Sequence, residues 1–173
     1  MSQPQERIVA GTPRMQAPLG IALVEPEIPP NTGNIARLCA ATGCALHLIE
    51  PLGFRIDDRE LKRAGLDYWE HVAITLHPNL KMFLEETAAT PRWYFSTRGR
   101  KPYMRAEFRR GDILVFGKET GGLPRDLLER EPERSLRIPM REHSVRSLNL
   151  STAAGIVTYA ALQSIGFEEL GLQ

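Results

Sequence analysis

Residues 20–49 read GIALVEPEIPPNTGNIARLCAATGCALHLI, and the order of patterns inside them decides the fold. Ile21-Ala22-Leu23-Val24 is a short apolar run of the kind that forms a buried strand. Pro26, Pro29 and Pro30 follow; proline has no N–H to donate, so this segment predicts a loop. Asn31-Thr32-Gly33 carries turn and N-cap chemistry. From Asn34 the pattern turns helical: Ile35, Leu38, Cys39 and Thr42 share one face, and Asn34, Arg37 and Ala41 share the opposite one. Gly43 ends the helix, and Ala45 to Ile49 is a second strand.

The alternation continues toward the C-terminus. Asp58 to Ala64 reads as a polar helix, Val72 to Leu76 as a strand, Leu80 to Thr87 as a helix and Trp93 to Ser96 as a strand. Ile113 to Phe116 and Leu136 to Ile138 are further strands, with a helix from Leu123 to Glu129 between them. Leu148 to Ile165 is a long helix, apolar on nearly every side, which predicts burial in a large core or against a second chain. Strands alternating with helices predict an α/β fold, a mostly parallel sheet flanked by helices. Ligands of such sheets sit beyond the carboxyl ends of the strands. On the other side, the residues up to Pro18 carry Gln, Pro, Gly and scattered charge. They predict a flexible lead over 1–17 before a single domain over 18–173.

Composition narrows the function classes. Of 173 residues 42% are hydrophobic and 25% charged, enough for a core without metal or disulfide staples. The 22 basic and 21 acidic residues nearly cancel, which excludes a broad polycationic coat but allows a local basic patch. Cys39 and Cys44 are too few for a zinc site or a disulfide framework, and predict a reducing compartment. His47, His71, His77 and His143 lack metal-ligand spacing, so no metal is expected. No apolar run approaches the roughly 20 residues of a membrane span, and the first residues lack a signal-peptide core. A cytoplasmic protein without a membrane partner is the expectation.

Three segments hold residues a plain core does not need. Pro26 to Arg37 places a proline loop, two asparagines and an arginine at a helix start, an arrangement suited to a phosphate and equally to a capped helix with a solvated arginine. Val115-Phe116-Gly117-Lys118-Glu119-Thr120-Gly121-Gly122-Leu123-Pro124 sets glycines after a strand, where backbone can approach a ligand or simply turn. Neither a phosphate-binding Gly-Lys-Ser/Thr ending nor the dinucleotide spacing is present. Ile138 to Ser151 packs polar residues against the start of the apolar helix; Ser147 is the expected N-cap, and Asn149 needs partners for a buried amide.

Taken together, the three segments resemble, in order, the signature motifs of the SPOUT methyltransferases. The resemblance is closest to the members that 2′-O-methylate the wobble nucleotide of tRNA. It rests on Glu25 to Asn34, on Arg63-Ala64-Gly65-Leu66-Asp67-Tyr68 and on Ser147-Leu148-Asn149-Leu150-Ser151, and it spans about Leu19 to Phe167. It implies a deep C-terminal trefoil knot, roughly over 93–165, which connection rules alone make nearly forbidden. It implies S-adenosylmethionine as cofactor, contacted by Phe95, Ser96, Gly117, Glu119, Ile138, Met140, Ser147 and Leu148. It implies Arg37 as the catalytic arginine, with Asn149 and Tyr159 close to the reacting groups. It also implies a homodimer whose site both chains complete.

The expected reaction is methyl transfer to the 2′-hydroxyl of position 34, cytidine or modified uridine, in a tRNA, with leucine tRNA foremost. Alternatives are another tRNA position or ribosomal RNA, a non-catalytic RNA-binding module on the same fold, or a small nucleotide-binding protein. RNA contact is assigned to Asn31, Arg98, Arg100, Lys101, Arg141 and Arg146. Arg98 to Arg110 holds six cations and one acid, Glu107, with Tyr103 and Phe108 interleaved, which suits phosphates and base stacking. Arg141-Glu142 departs from the apolar-proline pattern expected after Met140.

Overall fold

The computed structural model describes residues 7–10, 17–56, 69 and 71–172. In chain order the elements are β1 (Arg7–Ala10), β2 (Gly20–Val24), α1 (Pro29–Thr42), β3 (Ala45–Ile49), β4 (Ile74–His77), α2 (Leu80–Glu86), β5 (Arg92–Phe95), β6 (Lys101–Pro102), β7 (Ile113–Phe116), α3 (Arg125–Arg130), β8 (Ser135–Arg137) and α4 (Leu150–Ile165). They build one sheet in the order β1-β4-β3-β2-β7-β5-β8-β6. Strands β2 to β8 are all parallel, and β1 adds antiparallel to β4 at one edge. The helix expected over Asp58 to Ala64 lies outside the described residues.

Side-chain alternation along the strands makes two cores. Ile21 and Leu23 of β2, in register with Leu46 and Leu48 of β3 and with Leu114 and Phe116 of β7, face α1 and α4. Ala22, Val24, Tyr94, Ile113 and Val115 point the other way, onto Phe83 of α2 and Leu127 and Leu128 of α3. A strand covered on both faces must be apolar throughout, which is why these runs show no polar residue at every second place. The central strands β2 and β7 are buried over their whole length.

Several elements differ from the sequence reading, and β6 was not expected at all. The helix expected from Asn34 begins at Pro29, with Ile28 as N-cap and the two prolines in the first positions. The first helical N–H groups have no partner inside a helix, so prolines there cost nothing and preset the backbone angle. Asn31 is therefore inside the first turn, and buried. The helix expected from Leu148 begins at Leu150, and its N-cap is Asn149 rather than Ser147: the Asn149 Oδ1 accepts from the N–H of Ser151 at 2.9 Å and of Thr152 at 3.2 Å. Within the segment expected to be a flexible lead, Arg7–Ala10 pairs with β4, setting Arg7 opposite Leu76 and Ile8 opposite Thr75. Ile8 and Val9 suit a strand, but four residues are too short a run to show period-two alternation.

Candidate active site

A cavity of about 560 Å³ opens at the carboxyl ends of β5, β7 and β8. Its walls are the loop after β5 (95–98), the loop after β7 (116–123) and the loop before α4 (138, 140 and 146–149), closed by the α1 cap Ile28, by Asn31 in the first turn of α1 and by the first turn of α4. All eight residues expected to contact a cofactor line it: Phe95, Ser96, Gly117, Glu119, Ile138, Met140, Ser147 and Leu148. Asn31, Arg98, Arg146 and Asn149 line it as well.

The chain makes these walls by local means. Phe95 and Phe116 end neighbouring strands in register, and their rings stack with centroids 5.0 Å apart and planes 18° from parallel. They form an apolar floor. The 117–122 loop then folds onto itself, with the Gly122 N–H donating to the Lys118 carbonyl at 2.8 Å. A Cβ on Gly117 would lie 2.0 Å from the Gly122 carbonyl carbon, so only glycine fits there.

Polar side chains join the three walls. The Glu119 carboxylate accepts from the Glu27 N–H at 2.7 Å, the Ile28 N–H at 3.1 Å and the Asn31 Nδ2 at 3.0 Å. The Asn31 Oδ1 in turn accepts from the Asn149 Nδ2 at 3.0 Å. Glu119, Asn31 and Asn149 thus form one chain of hydrogen bonds from the second motif through the first to the third. The Glu27 carboxylate accepts from the N–H and the hydroxyl of Thr120, and Lys118 pairs with Glu25 at 3.0 Å. The Thr120 N–H and then its hydroxyl hold the Glu27 carboxyl below the usual range, while Glu25 raises the Lys118 ammonium.

Other expected site residues stand apart. Arg37 lies on the exposed face of α1 and Tyr159 on the exposed face of α4, 6.2 Å between ring centroids from Phe167, and neither lines the cavity. Arg100 and Lys101 are tied to the Glu133 carboxylate, the arginine at 3.4 Å. Arg141 is exposed outside the lining. Arg98 and Arg146 are at the cavity, and neither guanidinium has a partner among the described residues. Sequence reading gave no role to Glu27, Lys118 or Thr120. The matching acids at Glu25 and Glu27 and donors at Lys118 and Thr120 were there to see, but their pairing spans 93 residues and only the fold reveals it. Among the described residues no cluster of three His, Cys, Asp or Glu side chains could hold a metal ion.

Residues 18–159 match the model of the SpoU rRNA Methylase family. The chain belongs to this family. Several relatives of this SpoU methylase share about half its sequence or fold closely like it. A Saccharophagus degradans protein named tRNA (cytidine(34)-2′-O)-methyltransferase is 52% identical over 148 residues, 85% of this chain and 96% of the relative. A solved structure described as giving structural insights into the 2-OH methylation of C/U34 on tRNA superposes with a TM-score of 0.80 at 48% identity, covering 84% of this chain and 95% of that one. The AdoMet-bound rRNA methyltransferase of Sinorhizobium meliloti superposes with a TM-score of 0.77 at 25% identity, covering 86% of this chain and 57% of that one.

Proposed function

We propose that this SpoU methylase transfers a methyl group from S-adenosylmethionine to the ribose 2′-hydroxyl of the wobble nucleotide, position 34, of a tRNA, with leucine tRNA the first substrate to test. The supporting observation is the convergence of three separate strand-end loops on one cavity, with the guanidinium groups of Arg98 and Arg146 at it, neither paired among the described residues. The names of the half-identical relatives supply the position.

The cavity fits the donor. Its volume lies within the roughly 300–1,000 Å³ typical of cofactor sites. The stacked Phe95 and Phe116 rings, Ile138 and Leu148 offer apolar walls to a base and a sugar. Ser96, Gly117, Met140 and Ser147 bring backbone close enough to hold polar edges. When bound, the sulfonium supplies an activated methyl and its own leaving group. The protein's task is alignment and charge. Arg37 is a cation and a poor general base. It grips the phosphate beside the target ribose and stabilises negative charge growing on the 2′-oxygen, and a phosphate oxygen takes the hydroxyl proton. Asn149 caps its own helix through Oδ1, joins α4 to α1 by donating from Nδ2 to Asn31, and stands exposed at the cavity wall beside the substrate.

The site is completed by two chains. Arg37 lies outside the cavity of its own chain, and α4 turns Ile156 and Tyr159 toward solvent, 37% and 48% exposed. A homodimer that covers this face brings the partner's α1 to the cavity. The polypeptide threads a trefoil knot over roughly 93–165, a reading supported by β7 lying between β2 and β5 and by the return of 138–149 to α1. The reaction belongs to the cytoplasm, where tRNA is available.

Mass spectrometry of nucleosides in tRNA fragments, from cells with and without the gene, tests the proposal. The expected result is a 2′-O-methyl at position 34 that disappears with the gene. An unchanged methyl there, or its loss from a different RNA, contradicts the assignment.

A further inference from the structure

We infer that Glu27 is a positioning residue for the donor cavity, holding the 117–122 wall from outside through Thr120; this rests on the donor reading above. The Glu27 Oε2 accepts from the Thr120 N–H at 2.9 Å, and both carboxylate oxygens lie within 2.9 Å of the Thr120 hydroxyl. The Glu27 N–H donates back to Glu119 at 2.7 Å. The Glu119 carboxylate therefore holds the Glu27 backbone, while the Glu27 carboxylate holds the backbone of Thr120, the next residue after Glu119. Glu27 does not line the cavity, so it acts on a ligand only through Thr120, which does.

The wall needs such a hold. Its glycines at 117, 121 and 122 make it costly to order, and its other outside ties, from Lys118 to Glu25 and from Glu119 to the 27–31 segment, stop short of Thr120. Charge-assisted bonds to a carboxylate are stronger than neutral ones. Glu27 is itself braced from behind. The Gly53 N–H donates to the Pro26 carbonyl at 2.9 Å, and Gly53 lies so close that a Cβ on it would sit 2.7 Å from the Glu27 Cα. A wall fixed before the donor arrives need not be ordered on binding, and this pre-organisation appears as donor affinity.

The test is calorimetry of the full chain with S-adenosylhomocysteine, alongside steady-state kinetics and melting temperature, for E27A, E27Q and T120V. E27A should weaken binding and raise the donor KM about tenfold, with kcat at saturating donor changing less than about threefold. The tRNA KM and the melting temperature should hold. E27Q keeps an oxygen that accepts from Thr120 and should recover most of the affinity. T120V keeps the N–H and loses the hydroxyl, so it should fall between. E27A binding as tightly as the unaltered chain would overturn the inference and leave the donor reading standing. So would a loss shared equally by donor KM, tRNA KM and melting temperature, because that marks general loosening. If the unaltered chain itself fails to bind, the donor reading falls and this inference falls with it.

Discussion

At the scale of single residues, the side chains divide into those placed to meet ligands and those that place others. The proposed mechanism puts Arg37, an exposed cation, in the first group. R37A should keep S-adenosylhomocysteine binding within about twofold and lose methyl transfer by at least about a hundredfold, read by calorimetry and by label transfer to tRNA. Normal turnover in R37A would remove it from the mechanism. Glu119 and Asn149, whose sequence positions suggested contact with donor and substrate, line the cavity and also hold other residues in place. Their polar atoms already serve Glu27, Ile28, Asn31, Ser151 and Thr152. Sequence shows that an amide stands at the helix start; it does not show which donors surround it. A different residue sets an acid limit. His47 stacks on His77 with Nδ1 and Nε2 3.0 Å apart, and His77 reaches Glu86 at 2.7 Å. Burial, and then the neighbouring His77 ring, push the His47 pKa down to about 4 from 6.5. Above pH 6.5 the ring is neutral both folded and unfolded and adds no pH dependence. Below it the unfolded chain takes up a proton that the folded chain refuses, so stability falls as pH drops toward 4, by up to about 3 kcal/mol. Denaturant titrations from pH 7 to 4 should show this slope, and H47L should flatten it; an equal slope in both would assign it to other groups.

Elements show where local rules hold and where tertiary pairing overrides them. The strands β3 and β7 fall on the residues their apolar runs predict: β7, buried on both faces, leaves a continuous signal, and in β3 only His47 interrupts it. Helix α1 begins five residues earlier than its pattern suggests, since prolines read as breakers are also good first residues. β6 is two residues long and carries no signal at all. For α4 the Asn149 cap can be measured. N149A removes two backbone caps and leaves the buried Asn31 Oδ1 without its donor, a cost of about 2 kcal/mol, or roughly 4–8 °C in melting temperature. No change would mean that water replaces the amide. The basic stretch after β5 is less uniform than its sequence implies. Arg100 and Lys101 already answer Glu133, while the guanidinium of Arg98 at the cavity, like that of Arg146 before α4, has no partner among the described residues. R98A/R146A should therefore lower the salt slope of tRNA binding by about one to two, and R100A/K101A by less. The reverse order would move the RNA to the β6 edge.

For the molecule as a whole, the α/β class and the parallel sheet were legible from alternating runs, and the cavity from three polar segments after strands. The order of strands was not, because β7 inserts between β2 and β5 and the composition of a strand says nothing about its neighbour. The two-chain character of the site was only half legible. An apolar α4 announced a covered face, yet the structure buries one side, through Leu150, Ala154, Val157, Ala161 and Leu162, and exposes the other. If that face joins two chains, mixing R37A with a variant blocked at the donor cavity, such as G117A, should restore part of the activity lost by each alone. Two inactive variants that stay inactive when mixed would confine each site to one chain. All of these expectations depend on three distant loops forming one receptacle for the methyl donor. A crystal structure with S-adenosylhomocysteine decides this: the ligand is expected between Phe95, Gly117 and Ile138, and a ligand bound elsewhere, or density absent at saturating concentration, would refute the shared receptacle.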